Sequence, residues 1–510
     1  MSASASHIVD CPDQAATEAF AVALAMCLRA GDVVALSGTV GAGKSTLARA
    51  AIRSALGDLE ADVPSPTFTL VQTYEDARPF PILHADFYRL SDVQEADELG
   101  LDEALEIGAI LVEWPDQVPG LLPRRTFDIT IQDYGRNDTD GHSRRLIILA
   151  DDADWKRLKR SLLINAFLAK QGYGEGQRAP LTGDASTRAY ETVMASGFDG
   201  APPIVMNAPR QPDGPPIKDG KPYSRIAHLA EDVSAFVGVT HILEDAGFKV
   251  PRIIASDLEN GFLLCENLGQ ETPLLSDGTP DPHRYGWAAE TLAAIAERVW
   301  SSTVTFEGDK GIQAEHTIPT YDKLAMSIEV DLLPKWFAPW RMSSELSRDA
   351  AADFASIWDD LIARLEDQPK TLVLRDFHSP NIIWCPDEEG IRQIGLIDFQ
   401  DAVIGPTAYD VASLAQDARV HVPADLEAEL ISRYLKNTPS QDRDLFEEGY
   451  AIMAAQRATK ILGIFVRLSK RDGKDAYLAH IPRIEAVLSR TLNHPVLAPY
   501  KTWFNTVLKT

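Results

Sequence analysis

Two short segments of the sequence carry residues suited to holding nucleotide phosphates, and they lie far apart in the chain. The first, Gly38-Thr39-Val40-Gly41-Ala42-Gly43-Lys44-Ser45, fits the pattern G-x-x-x-x-G-K-[ST] of a phosphate-binding loop. The second runs from Arg375 to Asn381 and is followed by Ile397-Asp398-Phe399, the spacing of a kinase catalytic loop and its metal-binding Asp. Two sites of different architecture indicate a fusion of two enzymes.

The first segment has the residue types that wrap a polyphosphate. Its glycines allow backbone N–H groups to point at anionic oxygens at the start of a helix. Lys44 would reach the β- and γ-phosphates of ATP, Ser45 would ligate Mg²⁺, and Thr46 lies beside it. The predicted cofactor-binding residues of this loop are Gly38, Gly41, Gly43, Lys44, Ser45 and Thr46.

Two carboxylates downstream could complete this site. Asp86 follows a short apolar stretch and could hold Mg²⁺ through water, or it is a solvated turn carboxylate. Glu113 ends an apolar strand beside Trp114, where it either faces the site or is an ordinary strand-end charge. Taken singly, these residues leave both alternatives open.

Four segments in fixed order resemble the TsaE (YjeE) family of ATPases, and the resemblance covers roughly residues 7–150. They are the phosphate loop, Ser65 to Leu70, His84 to Arg89, and Glu113 to Asp116. The resemblance implies an ATPase that serves the proteins of the complex making threonylcarbamoyladenosine in tRNA. It implies that ATP hydrolysis resets that complex and that direct tRNA contact is left largely to the partners.

The same resemblance assigns residue roles around ATP and Mg²⁺. It implies that Ser45 and Asp86 hold the metal and that Lys44 binds the phosphates. It also places Thr67 in a nucleotide-responsive loop. The resemblance further implies that Glu113 positions the attacking water and that Trp114 contacts the nucleotide or its surroundings.

The second segment has the residues that phosphoryl transfer to a hydroxyl requires. Asp376 is placed as the base, while Asn381 and Asp398 are spaced to hold the two metal ions. The alternative is two unrelated Asp-containing turns. Downstream, Gly405 to Ala412 is typical of aminoglycoside-phosphotransferase-like kinases, in which the counterpart of Asp410 braces the catalytic loop; a helix-start cap is the other role open to it.

The front of this second region departs from ordinary kinases. Leu374 stands where a His is usual, and the strand Ile204 to Asn207 carries no V-A-I-K lysine. Ser186 and Arg188, in the loop Gly183 to Arg188, are therefore the candidates for holding the nucleotide, although the loop could be a solvated turn.

With these departures, the segments of the second region resemble the AmgK family of anomeric amino-sugar kinases, over roughly residues 160–510. The resemblance implies ATP–Mg²⁺ as donor, N-acetylmuramate or N-acetylglucosamine as acceptor, and Asp376 as the group that activates the anomeric hydroxyl. Asn207 replaces the more usual Asp. The matching segments are Gly183 to Arg188, Met206 to Pro209, Leu374 to Asn381, Ile397 to Ala402, Arg471 to Lys474, and Ile481 to Arg483.

Composition limits the classes of partner. The 510-residue chain has a formal net charge of −26, so we expect no strong direct binding to nucleic acid. No apolar run approaches the length of a membrane span, and residues 1–10 lack the features of a signal peptide. The four scattered cysteines are typical of reduced thiols. We expect a cytoplasmic enzyme without membrane association.

The periodicity of apolar residues predicts the elements that position both sites. Together with the two resemblances, it predicts an α/β P-loop NTPase domain over 1–150, a helical linker region over 151–180, and an α+β two-lobed protein-kinase-like domain over 160–510. The N-lobe is expected over about 175–270 and the C-lobe over about 271–510. We further predict a loop over 172–180 and one long helix over 224–246.

Single elements are predicted as well. In the first domain they are strands at Val33 to Leu36 and Ile110 to Trp114, a helix from Ser45 to Leu56, and a hairpin of Thr126 to Ile131 with Arg144 to Leu149. After Pro282 the pattern predicts mostly helices, apart from strands at Thr371 to Leu374 and Gln393 to Ile397.

Two other functions remain open from the residues. The second region could phosphorylate another small alcohol, such as an aminoglycoside, choline or homoserine. A cluster of Arg and Lys side chains on the acceptor side would favour a sugar acid over a cationic drug. The protein could also be a non-catalytic, ATP-responsive assembly module, which the presence of Asp376, Asn381 and Asp398 argues against for the second region.

Overall fold

The computed structural model describes residues 4–90, 99–122, 124–134, 142–174, 176–181, 188–194, 201–308, 311 and 313–508. The chain divides into two compact units, Met1–Ala208 and Pro209–Thr510. The first unit thus includes residues 151–208, which the sequence analysis divides between a linker and the second domain. The predicted domain boundaries stay predictions.

The main sheet of the first unit has the strand order β1-β7-β6-β2-β5-β4-β3. Strands β6, β2, β5 and β4 are parallel to one another, whereas β1, β7 and β3 pair antiparallel. The strands are β1 Ala5–Cys11, β2 Val33–Ser37, β3 Val71–Tyr74, β4 Ile82–Asp86, β5 Ala109–Glu113, β6 Phe127–Asp133 and β7 Arg144–Ala150. The helices are α1 Gln14–Cys27, α2 Lys44–Leu56 and α3 Leu101–Ile107.

This sheet brings the predicted residues of the first site to one edge. Strands β4 and β5 are buried along their whole length and β2 along nearly all of it, as expected of parallel strands covered on both faces. Because neighbouring parallel strands end at the same edge, the loop after β2 lies beside Asp86 and Glu113. Strand β2, helix α2, strand β5 and the β6–β7 hairpin confirm the predicted elements.

The rest of the first unit is a helix followed by an antiparallel sheet. Helix α4 spans Asp152–Lys170, and the strands are β8 Gln177–Leu181, β9 Ala189–Met194 and β10 Ile204–Asn207. The predicted loop over 172–180 is therefore wrong at its end. Arg178 is buried there, and its guanidinium donates to both carboxylate oxygens of Glu191 and to the Ser161 hydroxyl. A charged residue buried in this way is not visible in an apolar pattern.

The second unit begins with short antiparallel pairs and continues mainly with helices. Its strands are β11 Pro216–Lys218, β12 Lys221–Pro222, β13 Ile253–Asp257, β14 Phe262–Cys265, β15 Thr303–Glu307, β16 Gln313–Thr317, β17 Lys370–Val373, β18 Ile382–Trp384, β19 Ile394–Leu396 and β20 Val403–Pro406. Its α-helices are α5 Tyr223–Ile226, α6 Ser234–Asp245, α7 Pro282–Ala296, α8 Lys323–Val330, α9 Ala338–Met342, α10 Arg348–Ala363, α11 Ala408–Ala415, α12 Ala424–Lys436, α13 Arg443–Asp472, α14 Ile481–Thr491 and α15 Ala498–Val507.

Two predicted features of this unit are wrong. The single helix over 224–246 is broken between α5 and α6, where His228 has a φ of 54° and the Ala230 amide donates to Asp401 Oδ1 at 2.6 Å. The β15–β16 hairpin lies in a stretch predicted to be mostly helical, and its exposed positions are polar. Among the described residues, no helix combines the length and apolar character needed to span a bilayer.

Helix α13 is the long packed helix of the second unit. It spans 30 residues, and buried apolar side chains line it from Phe446 to Val466. Gly463 lies where the helix contacts the backbone of Leu332: a Cβ at Gly463 would be 2.5 Å from the Leu332 carbonyl oxygen. The atoms that this Cβ would meet are the carbonyl group and the Cβ of Leu332, and none of them can rotate away.

We therefore expect Gly463→Ala to lower the free energy of unfolding by about 1–3 kcal/mol through overpacking. Gly214→Ala is the matched control, because a Cβ there meets nothing within 4 Å, and both changes reduce the freedom of the unfolded chain alike. Urea denaturation followed by circular dichroism measures both. Equal stability of the two variants would contradict the close approach of α13 to Leu332.

Candidate active sites

The phosphate loop connects β2 to α2 in a conformation that glycine permits. Gly38, Gly41 and Gly43 have φ values of 147°, 82° and 104°, and a Cβ on Gly38 would lie 2.6 Å from the carbonyl oxygen of Ile131. Gly43 precedes α2 and supplies no side-chain cap. The first amides of the helix can therefore donate to anionic oxygens.

Lys44 folds back over this loop. Its Nζ donates to the carbonyl oxygens of Gly38 at 3.0 Å and Thr39 at 2.9 Å, and it lies 3.7 Å from the centre of the Trp114 ring. Burial lowers the pKa of Lys44, against the opposing charges of Glu113 and Asp86. An ammonium held by carbonyl oxygens alone is placed to exchange them for phosphate oxygens.

Two carboxylates at the ends of neighbouring strands complete the first cluster. Glu113 is buried; it accepts a hydrogen bond from Ser45 Oγ at 2.7 Å and lies 3.0 Å from His84 Nε2. Asp86 accepts from Thr67 Oγ1 at 2.6 Å. Four of the site residues predicted from the motif order thus lie in two hydrogen-bonded pairs, Ser45 with Glu113 and Thr67 with Asp86.

Trp114 and Tyr88 form one wall of the same cleft. Trp114 has a φ of 58°, and its ring packs against Tyr88 with centroids 5.1 Å apart. The cleft has a volume of about 380 Å³ and is lined by Val40, Gly41, Gly43, Lys44, Ser45, Thr46, Thr67, Asp86, Tyr88, Glu113 and Trp114. Of the residues predicted for this site, Gly38 alone is not among them; it shapes the start of the loop.

The donor set of this cleft fits Mg²⁺ with a polyphosphate. Mg²⁺ prefers one or two protein oxygens and takes the rest from phosphates and water. The Ser45 hydroxyl and the carboxylates of Asp86 and Glu113 are hard oxygen donors in one cleft. The loop amides and Lys44 are suited to the phosphates.

The second site consists of two loops held side by side by two antiparallel strand pairs. Strand β17 pairs with β20, and β18 pairs with β19. Asn381 links the loops: its Nδ2 donates to the carbonyl oxygen of Asp376 at 3.0 Å and to Asp398 Oδ2 at 3.3 Å. Gln400 Nε2 donates to Asp398 Oδ1 at 3.0 Å. The predicted base and both predicted metal ligands therefore belong to one connected cluster.

Asp376 is half-buried, and its pKa is lowered by neighbouring cationic groups. Burial raises the pKa of this carboxyl, but His378, Lys460 and Arg457 together hold it below its usual range. A carboxylate of low pKa keeps its negative charge near neutral pH but is a weak base. It can orient a hydroxyl and take its proton only late in the transfer, when the oxygen has begun to bond to phosphorus.

Asp410 braces the backbone in front of Asp376. Its carboxylate accepts from the amides of Leu374 at 2.6 Å and Arg375 at 3.0 Å. Of the two roles open to Asp410 in the sequence, the structure shows the brace. Leu374 itself is buried, so the position usual for His is a packing position here.

A buried carboxylate on α8 holds the catalytic loop from the other side. Glu329 accepts from the guanidinium of Arg375, and from Lys460 Nζ at 3.0 Å and Gln456 Nε2 at 2.9 Å. Burial would raise the pKa of Glu329, but Lys460 and Arg375 outweigh it and lower the value to about 2. Arg457 Nη1 donates to the carbonyl oxygen of Arg375 at 3.0 Å.

The predicted nucleotide contacts at the front of this region are placed only in part. Ser186 lies outside the described residues. Arg188 is described and precedes β9. Asn207, which replaces a more usual Asp, accepts from Arg160 Nε at 2.9 Å and Nη2 at 2.7 Å, so an uncharged amide oxygen binds a guanidinium.

Comparisons with known proteins divide the chain in the same order as the two sites. A model of the family described as threonylcarbamoyl adenosine biosynthesis protein TsaE matches residues 11–144, and a model of the phosphotransferase enzyme family matches residues 217–446. The N-acetylmuramate/N-acetylglucosamine kinase of Caulobacter vibrioides is 35% identical over 350 residues, covering 67% of this chain and 94% of the relative.

Two further relatives support the same division into a TsaE-like and a kinase-like region. The N-acetylmuramate/N-acetylglucosamine kinase of Pseudomonas aeruginosa is 32% identical over 348 residues, covering 66% of this chain and 91% of the relative. The tRNA threonylcarbamoyladenosine biosynthesis protein TsaE of Rickettsia bellii is 38% identical over 116 residues, covering 23% of this chain and 79% of the relative.

The chain belongs to both families. The predicted fold class, a P-loop domain followed by a kinase-like domain, is confirmed. We call residues 11–144, which the TsaE model matches, the TsaE part; it contains the Lys44 site. We call the unit Pro209–Thr510 the kinase part; it contains the Asp376 site.

Several residues of the kinase part were missed in the sequence. Glu329 and Lys460 carry no motif, and their pairing joins helices that are far apart in the chain. One signal was available: α13 is apolar along most of its buried length, yet Gln456, Arg457 and Lys460 are polar there. Polar residues at such helical spacing indicate a buried partner. In the TsaE part, the motif His84 to Arg89 contains His84 but does not indicate that its ring lies beside Glu113.

Asp410 should make the stability of the kinase part depend on pH. Burial raises its pKa to about 7 against the hydrogen bonds from Leu374 and Arg375 and the charge of Arg457, whereas an unfolded Asp has a pKa of about 3.9. The folded protein therefore binds this proton more tightly, and the contribution to stability is lost as pH rises from about 4 to about 7.

Asp410→Asn removes this titration. The quantity to follow is the difference between the free energies of unfolding of the wild type and of Asp410→Asn. We expect this difference to fall by on the order of 1–3 kcal/mol between pH 5 and pH 8. Urea denaturation followed by tryptophan fluorescence gives both values at each pH. A difference that stays constant or rises over this range would show that Asp410 does not hold a proton near neutrality.

Proposed function

We propose that the protein is bifunctional. Its TsaE part is an ATPase that supports the formation of threonylcarbamoyladenosine in tRNA. Its kinase part transfers the γ-phosphoryl group of ATP to the anomeric hydroxyl of N-acetylmuramate or N-acetylglucosamine, as part of cell-wall sugar recycling. ATP and Mg²⁺ serve both parts, and the protein acts in the cytoplasm.

The observation that carries the kinase proposal is the cluster joining Asp376, Asn381 and Asp398. The carboxylate of Asp376 would accept the hydrogen bond of the sugar hydroxyl and direct its oxygen at the γ-phosphorus. The new O–P bond forms as the bond to the β–γ bridging oxygen breaks, and the hydroxyl proton passes to Asp376. Mg²⁺, held by Asn381 and Asp398, would neutralise charge on the phosphates.

The TsaE proposal depends on the cleft at the ends of β2, β4 and β5. Lys44 and the loop amides would bind the phosphates, and Ser45 and Asp86 would hold Mg²⁺. Glu113 would accept a hydrogen bond from the attacking water, and His84, at 3.0 Å, would fix the orientation of its carboxylate. Trp114 would pack against the bound nucleotide.

The segment after Thr67 is suited to reporting the nucleotide state to a partner. Thr67 donates to Asp86, whereas the next residue, Phe68, is 81% exposed and stacks under Arg89 at 4.2 Å. A change at the metal ligand would therefore move an exposed aromatic side chain. The partner would be a protein of the threonylcarbamoyl transferase complex, and the net charge of −26 argues against strong tRNA binding by this chain itself.

Two other functions stay open as outcomes of the test. One is phosphorylation of another small alcohol, such as an aminoglycoside, choline or homoserine. The other is a non-catalytic assembly role, in which ATP binding alone is read by partners. The cluster that joins Asp376 to Asn381 and Asp398 favours catalysis, because a non-catalytic module would not need an acceptor and two metal-ligand types held together in this way.

Two substitutions should separate the activities. With ATP–Mg²⁺ and N-acetylmuramate, N-acetylglucosamine, kanamycin and choline offered in turn, we expect a sugar 1-phosphate as product. Asp376→Asn should lower its formation at least about 100-fold, in the range typical of a lost base, while leaving the ATP hydrolysis that occurs without acceptor. Lys44→Ala should lower the ATP hydrolysis that occurs without acceptor and leave the formation of sugar 1-phosphate unchanged.

Phosphate analysis by ³¹P NMR measures both products, and each variant is the folding control for the other. Sugar phosphate formation that is unaffected by Asp376→Asn would exclude Asp376 as the base. Product from kanamycin or choline alone would replace the sugar by another alcohol, and no product from any acceptor would favour the assembly role.

A further inference from the structure

The residue after Phe399 is the point at which the metal-binding motif of the kinase part departs from the D-F-G of protein kinases. The third position of that motif is glycine, and its Asp holds Mg²⁺; in this chain the third position is Gln400. A glycine has no side chain that could reach the metal ligand, whereas a glutamine has an amide nitrogen with two N–H donors. The side chain of Gln400 is therefore a candidate for a role at the metal site.

This side chain turns back onto the predicted metal ligand. Gln400 Nε2 donates to Asp398 Oδ1 at 3.0 Å and to the Asp398 carbonyl oxygen at 3.4 Å. The other carboxylate oxygen, Asp398 Oδ2, accepts from Asn381 Nδ2 at 3.3 Å. Each carboxylate oxygen of Asp398 thus receives one amide N–H, and the two donors together fix the rotation of the carboxylate. An ionised carboxylate has about four acceptor positions, so positions remain on both oxygens for a metal ion or its water.

The amide of Gln400 takes its orientation from this carboxylate. Gln400 is 4% exposed, and among the described residues its Oε1 is buried without a hydrogen-bond partner. An unsatisfied buried acceptor costs free energy, so packing alone does not account for a glutamine here. With the amide turned the other way, Oε1 would face the Asp398 carboxylate and two acceptors would oppose each other. The contact that the amide does make is therefore the one to the metal ligand.

The backbone of the same loop is held by its other residues. The Phe399 ring stacks on Phe236 of α6 with centroids 4.8 Å apart, and Asp401 Oδ1 accepts from the Ala230 amide at 2.6 Å. Asp398 has a φ of 59°, which a residue other than glycine keeps only where its surroundings hold it. Because these contacts fix the backbone, the rotation of the metal-binding carboxylate is the freedom that a neighbouring side chain still has to restrict.

We propose that Gln400 is a positioning residue for Mg²⁺ in the kinase part. By holding Oδ1 of Asp398 it presents the carboxylate to the metal in one orientation, so less ordering is needed when Mg²⁺ and ATP bind. Its effect is exerted through Asp398 and not by contact with the metal. The proposal rests on the proposed kinase function and adds to it the group that prepares the metal ligand. Outer partners of this kind typically account for about 10- to 100-fold in metal affinity or activity.

The test introduces Gln400→Met into the full-length Lys44→Ala protein, so that the nucleotide site of the kinase part is the one observed. Methionine keeps the unbranched, flexible shape of glutamine but has no donor. Isothermal titration calorimetry measures the binding of a non-hydrolysable ATP analogue at a series of free Mg²⁺ concentrations. Gln400→Met should raise the half-saturating Mg²⁺ concentration about 10- to 100-fold. At saturating Mg²⁺ it should bind as much analogue as the Lys44→Ala parent, which shows that the variant is folded.

Gln368→Met in the same parent is the matched control. Gln368 is also 4% exposed, but its Nε2 donates to a backbone carbonyl oxygen, that of Leu445, at 2.9 Å. Its loss should leave the half-saturating Mg²⁺ concentration unchanged. Impaired folding would instead lower the amount of analogue bound at every Mg²⁺ concentration, without a shift along the Mg²⁺ axis.

The outcomes distinguish this inference from the proposed function. An unchanged half-saturating Mg²⁺ concentration in Gln400→Met, or an equal shift in Gln368→Met, would overturn the positioning role and leave the kinase function intact. Analogue binding that needs no Mg²⁺ in the Lys44→Ala parent would overturn the metal site and this role with it. A shift confined to Gln400→Met, in a protein that phosphorylates no acceptor, would support the positioning role and overturn the proposed transfer to a sugar.

Discussion

The buried carboxylate of Glu329 is the interaction on which the kinase part depends. It has no exposed surface and accepts from Arg375, Lys460, Tyr321 and Gln456. Burial raises the pKa of Glu329, but the charges of Lys460 and Arg375 and the hydrogen bonds from Tyr321 and Gln456 together lower it. Because Arg375 directly precedes Asp376, this one group fixes helices α8 and α13 against the catalytic loop. Removing Glu329 would leave Arg375 and Lys460 without their shared counter-ion, so this one carboxylate orders the loop and both helices together.

The TsaE part positions its acidic groups by a different constraint. There the parallel strands β2, β4 and β5 end at one edge, and their register brings Asp86 opposite Glu113. Main-chain geometry therefore places the carboxylates, and the short hydrogen bonds from Ser45 and Thr67 only orient them. In the kinase part, side-chain charges do the positioning. The two phosphate sites thus share a chemistry of oxygen donors and cations but not a way of assembling it.

Local patterns made much of this predictable. The glycines of the phosphate loop, the apolar strands on either side of Asp376, and the motif order from Lys44 to Trp114 are all encoded within short windows. The errors have non-local causes. The helix expected over 224–246 is broken where the Ala230 amide bonds to Asp401, far along the chain, and the strand at Gln177–Leu181 is held by the buried pair Arg178 and Glu191. The partners of Glu329 come together only through packing: the polar residues on the buried length of α13 indicate a buried partner but not which residue it is.

The two sites should bind nucleotide separately in one chain, and the stoichiometry of nucleotide binding tests this most directly. Isothermal titration calorimetry with a non-hydrolysable ATP analogue and Mg²⁺ should find about two molecules bound per chain, with about one remaining in Lys44→Ala, since that lysine is a principal phosphate ligand of the loop. One molecule bound to the wild type, or no loss of a site in Lys44→Ala, would show that the chain does not hold a second nucleotide site at Lys44.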